Sequence, residues 1–393
     1  MDLPPMVEWM EAGTRHRARW RSESGVPPPA RLRVVDDTIT ADEAYGEACQ
    51  GVALLWRGDF QNARQMLLAL AARADRGAPP STPRALTPED FHRYRQRRAQ
   101  RARTLGQLLV PLEAGYRVPL RRAPDLHAAC RDVYGPEDEP SLVALRELIG
   151  LVGAFEWRRK GIEIAAVGGR IHPHYGVFAP VRGEYVELVD TAPLPVTNPS
   201  GQVAFDIGTG TGVLAAVLAR RGFGRVVATD LDPRAVACAR ANLEALRLEE
   251  AVEVISADLF PPGRAALVVF NPPWLPARPS SRLEAAIYDP EGELLGRFLR
   301  ALPAHLEPAG EAWLVLSDLA EHLGLRTRAA LLAQFAACGL EAIDRSELPP
   351  RHPRARDTRD PLHAARAAER IALWRLRGID ACGSPCPDPS TLY

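Results

Sequence analysis

The chain has 393 residues, 46% of them hydrophobic and 25% charged, with a formal net charge of zero. That length predicts two domains, each with its own core, and no run approaches the roughly 18 apolar residues that a membrane span requires. Balanced charge excludes a molecule-wide pull toward nucleic acid or membrane, so any such preference has to be local. The opening MDLPPMVEWMEAG lacks the charged start and apolar core of a secretory signal, which implies a cytoplasmic location. Cys49, Cys130, Cys238, Cys338, Cys382 and Cys386 show no two-residue spacing and read as reduced thiols, with no metal site implied. Lys160 is the only lysine, so arginine clusters here partly reflect compositional habit.

Residues 41–76 carry apolar side chains at helical spacing (Val52, Leu55, Trp56, then Ala63, Met66, Leu67, Leu70), interrupted at Gly58 and Asp59, and predict two packed helices. After the proline-rich linker GAPPSTPRALTPED, a third helix is expected from near Phe91 to about Leu109, ahead of Pro111. Residues 1–123 are therefore expected to form a mostly helical domain. Residues 124–200 predict a connector: a helix over SLVALRELIGLVGAFEWRR, then extended segments at GIEIAAVGG and GVFAPVRGEYVELV arranged as a β-hairpin. From 201 to 378 short β-rich runs alternate with helical ones (VAFDIG, TGVLAAVLARRG, RVVATD, PRAVACARANLEAL, VEVIS, ALVVFN), the pattern of a parallel α/β sheet. Residues 379–393 read as a flexible tail.

Asp206-Ile207-Gly208-Thr209-Gly210-Thr211-Gly212 lies between an apolar strand and an apolar helix, where missing side chains let backbone amides approach a ligand. A dinucleotide fingerprint would need a sixth-position glycine, and Val213 stands there. Asp230 ends the next strand, at the distance from Gly208 where a carboxylate meets ribose hydroxyls in such folds; the competing reading is an N-cap shared with Asp232 before Pro233. Asp258 after the third strand is placed for an adenine amino group, with the Leu259 amide beside it. The fourth strand ends in Asn271-Pro272-Pro273-Trp274. A planar amino group needs acceptors for its protons, which the Asn271 side-chain oxygen and the Pro272 carbonyl supply, while Trp274 can stack on the planar group.

With these residues in this order, the C-terminal half resembles the class I methyltransferases that use S-adenosylmethionine (SAM), in the small-domain group with an N-P-P-[YFW] motif. That group includes release-factor glutamine N5-methyltransferases and enzymes that methylate exocyclic amines of bases in rRNA or tRNA. The resemblance spans residues 170–378. It implies a Rossmann-like seven-stranded sheet with one antiparallel strand at RIALWRLR, and SAM as cofactor without a metal. It further implies that Asp206 and the loop glycines hold the methionine end, Asp230 the ribose and Asp258 the adenine. The expected reaction is methyl transfer to a planar nitrogen, a protein glutamine amide first, an exocyclic base amine as alternative, a small molecule as second alternative. The chain departs from the glutamine enzymes in having Trp274 where they carry tyrosine, and GVFAPVRGEYVELV lacks their fuller proline-arginine-acid pattern.

Partners are accordingly a protein or an RNA, with no membrane expected and the oligomeric state open. Arg93, Arg97 and Arg101 share one helical stripe near Phe91 and Tyr94, which either tracks a phosphate backbone or is a solvated face. His172 and His174, flanking Pro173, either close the cofactor site or pack a turn.

Overall fold

The computed structural model describes residues 4–76, 86–136, 139–279 and 282–379. Two compact units emerge, one drawn from residues 1–79 and 92–156, the other from 80–91 and 157–393.

The first unit contains β1 (Met6–Glu11), β2 (Thr14–Arg21), β3 (Leu32–Val35), α1 (Ala41–Cys49), β4 (Ala53–Trp56), α2 (Phe60–Ala74), most of α3 (Pro88–Leu105), β5 (Leu108–Leu112), α4 (His127–Tyr134), β6 (Ser141–Ala144) and most of α5 (Leu145–Lys160). Its strands form one six-stranded sheet in the order β1-β2-β6-β5-β4-β3. The helices expected at 41–76 and 91–109 are present as α1, α2 and α3, but they are joined by a sheet that the expectation did not include. Residues 53–56 form a strand rather than part of a helix, and the chain past Leu105 turns into β5, with Pro111 opposite Leu142 of β6. The physical reason is burial: β4 and β5 are covered on both faces, so their side chains are apolar throughout and carry no alternation that separates strand from helix. Val7, Trp20, Leu55, Leu109 and Leu142 build the core on one sheet face.

The second unit adds the hairpin of β7 (Ile162–Ile164) and β8 (Gly169–Ile171), then α6 (Glu184–Thr191), β9 (Val203–Ile207), α7 (Val213–Arg220), β10 (Arg225–Asp230), α8 (Pro233–Ala245), β11 (Val252–Ser256), β12 (Ala265–Phe270), α9 (Arg282–Ala285), α10 (Glu293–His305), β13 (Leu306–Ser317), α11 (Leu319–His322), α12 (Arg328–Ala337), β14 (Leu340–Leu348), α13 (His363–Ala368) and β15 (Ile371–Gly378). GEYVELV, expected as extended, is the helix α6, because Tyr185, Leu188 and Val189 fall on one helical face and are buried. The large sheet has seven strands in the order β11-β10-β9-β12-β13-β15-β14. β15 runs antiparallel to both neighbours, as expected for RIALWRLR. β12 is buried along its whole length, and the two sheet faces carry separate cores, one around Val217, Val269 and Trp313, the other around Phe205, Phe298 and Leu314. Asp232 caps α8 by accepting the Arg234 amide at 2.9 Å, with Pro233 in the first helical position. The tail expected at 379–393, with Cys382 and Cys386, lies outside the described residues except for Ile379.

Candidate functional site

Successive strands leave the middle of the large sheet in opposite directions, β9 to β10 to β11 on one side and β12 to β13 on the other, so the β9/β12 boundary is the topological switch point where open α/β sheets bind ligands. Register makes this concrete. Asp206 pairs with Val269 and Ile207 with Phe270, which sets Gly208 and Asn271 level at the carboxyl edge. On the other flank Ile207 pairs with Thr229, so Asp230 follows beside the same loop. The glycine loop, the β10 acid and the N-P-P-W turn thus converge, as their order along the chain implied.

The loop itself demands glycine. Gly208, Gly210 and Gly212 have φ of 64°, 57° and 81°, left-handed values that cost an L-residue roughly 1–2 kcal/mol. A Cβ on Gly212 would stand 3.2 Å from the Ala239 Cα of α8, whereas one on Gly210 would meet nothing within 4 Å. Gly212 therefore lets α7 and α8 pack closely, and Gly210 presents bare backbone. Thr209 and Thr211 are buried, with the Thr209 amide donating to the Thr229 carbonyl at 2.8 Å and the Thr211 carbonyl accepting from Asn242 Nδ2 at 3.0 Å.

Asp206 lies beneath this loop at 1% exposure. Its carboxylate accepts the Thr209 hydroxyl at 2.6 Å and the Ala215 amide of α7 at 2.9 Å. Burial pushes its pKa up to about 7 against the opposing pull of those two donors. Its direct contacts shape the loop. Asp230 is more open. One oxygen accepts the Gly210 amide at 2.9 Å and the other the Asp232 amide at 3.0 Å, and burial raises its pKa as well. A carboxylate offers about four lone-pair directions, so beyond its backbone donors, the Leu231 amide among them, it keeps capacity for a hydroxyl. Asp258 is half-exposed and its Oδ2 accepts from Arg297 of α10 at 2.5 Å, which leaves Oδ1 for another donor. Leu259 holds a left-handed φ of 71°, and its carbonyl accepts the buried Thr229 hydroxyl at 2.6 Å. Thr229 was not singled out in the sequence; its signal there is a small hydroxyl among apolar strand residues, directly before the strand-end acid.

At the N-P-P-W turn, Trp274 Nε1 donates to Asn271 Oδ1 at 3.0 Å. Since an indole nitrogen only donates, the bond identifies the oxygen of the amide and fixes which way it faces. Trp274 is half-buried against both sheet cores, and the Arg182 guanidinium lies over its ring at 5.9 Å. One indole face is thus covered by a cation that sequence reading did not connect to it. His172 packs a turn: its amide donates to Asn242 Oδ1 at 2.7 Å and its Nδ1 meets the Arg158 carbonyl at 2.7 Å, while the His174 amide contacts Cys238 Sγ at 3.3 Å. In α3, Arg101 of the arginine stripe pairs with Asp75 at 2.8 Å. Among the described residues no cluster of three or more His, Cys, Asp or Glu is placed to hold a metal, and no helix is long and apolar enough to cross a membrane.

A seven-stranded sheet with one reversed strand, a glycine loop after its first strand and an acid after its second define a Rossmann-like methyltransferase domain. Residues 171–342 match the family model described as "Methyltransferase small domain". The family match and the methyltransferases to which this part of the chain is similar support a SAM-dependent methyltransferase. Similar proteins include one from Methanocaldococcus jannaschii, provisionally named a protein N5-glutamine methyltransferase, 26% identical over 166 residues that cover 40% of this chain and 80% of that one. A release factor glutamine methyltransferase from Cereibacter sphaeroides is 36% identical over 119 residues, covering 27% and 43%. A ribosomal RNA small subunit methyltransferase C from Chromohalobacter salexigens is 34% identical over 154 residues, covering 38% and 42%. The chain thus spans most of the archaeal relative but under half the length of these two bacterial ones.

Proposed function

We propose that the protein transfers the methyl group of SAM to a planar nitrogen, and that the acceptor is a protein glutamine amide. The observation that carries this reading is Asn271: its Oδ1 is held by the Trp274 N–H at 3.0 Å, level with the glycine loop, so one lone pair is used and the other is presented in a fixed direction. When bound, SAM supplies an electrophilic sulfonium methyl. The chain fits that group through the bare backbone at Gly208 and Gly210, the remaining acceptor capacity of Asp230, and the free Oδ1 of Asp258 beside the Leu259 amide. In this reading the glycine loop, shaped by Asp206, Thr209 and Thr211, takes the methionine end, Asp230 the ribose hydroxyls and Asp258 the adenine. Asn271 and the Pro272 carbonyl accept the two protons of an incoming NH₂, which turns the nitrogen's electron density toward the methyl. Pro273 stiffens the turn.

The glutamine acceptor is favoured over an exocyclic base amine by the relatives named for glutamine; the relative named for ribosomal RNA supports the alternative. The test is transfer of radiolabelled methyl from SAM by the full chain into a lysate that lacks it, split between nuclease and protease. Label that survives nuclease and is lost to protease supports the reading. Label lost to nuclease replaces it with a base amine, and label in neither fraction moves the acceptor to small molecules.

A further inference from the structure

Glu369 precedes β15 and is fully buried, at 0% exposure. Burial alone would raise its pKa, but the neighbouring His352, the Ser317 hydroxyl and the charge of Arg182 outweigh it and leave the carboxyl below its ordinary range. It is a buried anion, held on three sides. Ser317, the last residue of β13, donates its hydroxyl to Glu369 Oε1 at 2.5 Å while accepting the Leu319 amide at 3.0 Å. His352 Nε2 stands 3.7 Å from Oε2. Arg182, in the segment leading into α6, brings a guanidinium nitrogen to 3.6 Å from Oε1.

A buried ion pair adds little stability over a well-packed apolar pair, so its location matters more than its energy. Ser317 pairs with Ile371 at the carboxyl edge of the sheet, the edge at which Asn271 follows β12. The same guanidinium that faces Glu369 also lies 5.9 Å over the Trp274 ring, within cation–π range, and the Trp274 N–H is bonded to Asn271 Oδ1. A continuous chain of contacts therefore runs from Glu369 through Arg182 and Trp274 to the oxygen assigned to the acceptor.

We propose that Glu369 and Arg182 are positioning residues of the transfer site: the buried carboxylate holds the guanidinium on the indole face, which fixes the ring and, through its N–H, the direction in which Asn271 presents its open lone pair. This rests on the acceptor role of Asn271. It also means that an acceptor is excluded from the indole face that Arg182 covers.

The experiment uses the full chain labelled with 5-fluorotryptophan, whose seven tryptophans give seven fluorine resonances, that of Trp274 being assigned by Trp274→Phe. Glu369→Gln and Arg182→Met are expected to shift or broaden the Trp274 resonance and leave the other six in place, with Arg182→Lys intermediate because it keeps a charge without the planar fork. In the transfer assay kcat is expected to fall on the order of 10- to 100-fold, with SAM affinity by calorimetry unchanged. If Glu369→Gln disturbs all seven resonances, Ser317→Ala, which removes one hydrogen bond from the same carboxylate, decides by the same criterion. An unmoved Trp274 resonance in Arg182→Met overturns the proposal, as does unchanged kcat with a shifted resonance. A wild-type chain that transfers no methyl would sink the proposed function instead, and the resonance pattern separates the two failures.

Discussion

Replacing Asp206 by asparagine removes a buried charge from beneath the glycine loop while keeping an oxygen of the same reach for the Thr209 hydroxyl and the Ala215 amide. The folded carboxyl titrates at about 7, against an ordinary 3.8. Because the folded value is the higher one, the folded chain holds a proton that the unfolded chain has already released between those two values. The stability this contributes is fully present below about pH 4 and is lost as pH rises through about 7. At about 1.4 kcal/mol per pH unit, the loss across the window of roughly three units is on the order of 4–5 kcal/mol. An amide does not titrate, so the Asp206→Asn variant should lack this loss. Its extra buried NH₂ adds a roughly constant cost of about 1–3 kcal/mol. Unfolding of both proteins in urea at pH 5, 6, 7 and 8, read at the transition that added SAM displaces, cancels the other ionisable groups in the difference. The wild type should lose stability relative to the variant by about 2–3 kcal/mol between pH 5 and 8, the part of the window that lies above pH 5. A difference that stays flat across those four pH values would refute the buried-carboxyl account.

Gly212→Ala meets both a left-handed φ and the Cα of Ala239 at 3.2 Å, and should cost about 2–3 kcal/mol of stability. Gly210→Ala, with open space at its Cβ, should cost only about 1–2 kcal/mol, so equal losses in thermal unfolding would count against the close helix approach. Thr229→Val deletes the hydroxyl that the Leu259 carbonyl accepts and should lower stability by about 1–2 kcal/mol and weaken SAM binding in calorimetry; no change in either would show that the Leu259 turn holds itself. Asn271→Ala should leave SAM affinity nearly intact but slow transfer by roughly 10- to 100-fold, the equivalent of about 1–3 kcal/mol, and unchanged turnover would remove Asn271 from the chemistry.

What was legible in the sequence was legible because the chemistry allows few residue types. Three positive φ angles within five residues leave glycine as the fitting choice at 208, 210 and 212. The position of RIALWRLR as the reversed strand was legible only through the resemblance to the methyltransferase family, and the strand does run antiparallel to both neighbours. The six-stranded sheet of the first unit was not legible. β4 (ALLW) is four residues long and buried on both faces, and β5 carries Pro111, which resembles a helix stop. In β2 (TRHRARWR) the arginines mask the run that ends at the buried Ala18 and Trp20. The links between Glu369, Arg182 and Trp274 were beyond reach for another reason: the three lie on segments far apart in sequence, and only the sheet edge brings them together.

Calorimetric titration of the full chain with SAM, alongside Asp230→Ala, tests the central claim most directly, since Asp230 is where the loop, β10 and the proposed ribose site meet. Binding at one site by the wild type, weakened in the variant by roughly 2–3 kcal/mol or on the order of 30- to 100-fold, is the predicted result. Equal affinity in the two proteins, or no binding by the wild type, would contradict a SAM site at the carboxyl edge between β9 and β12.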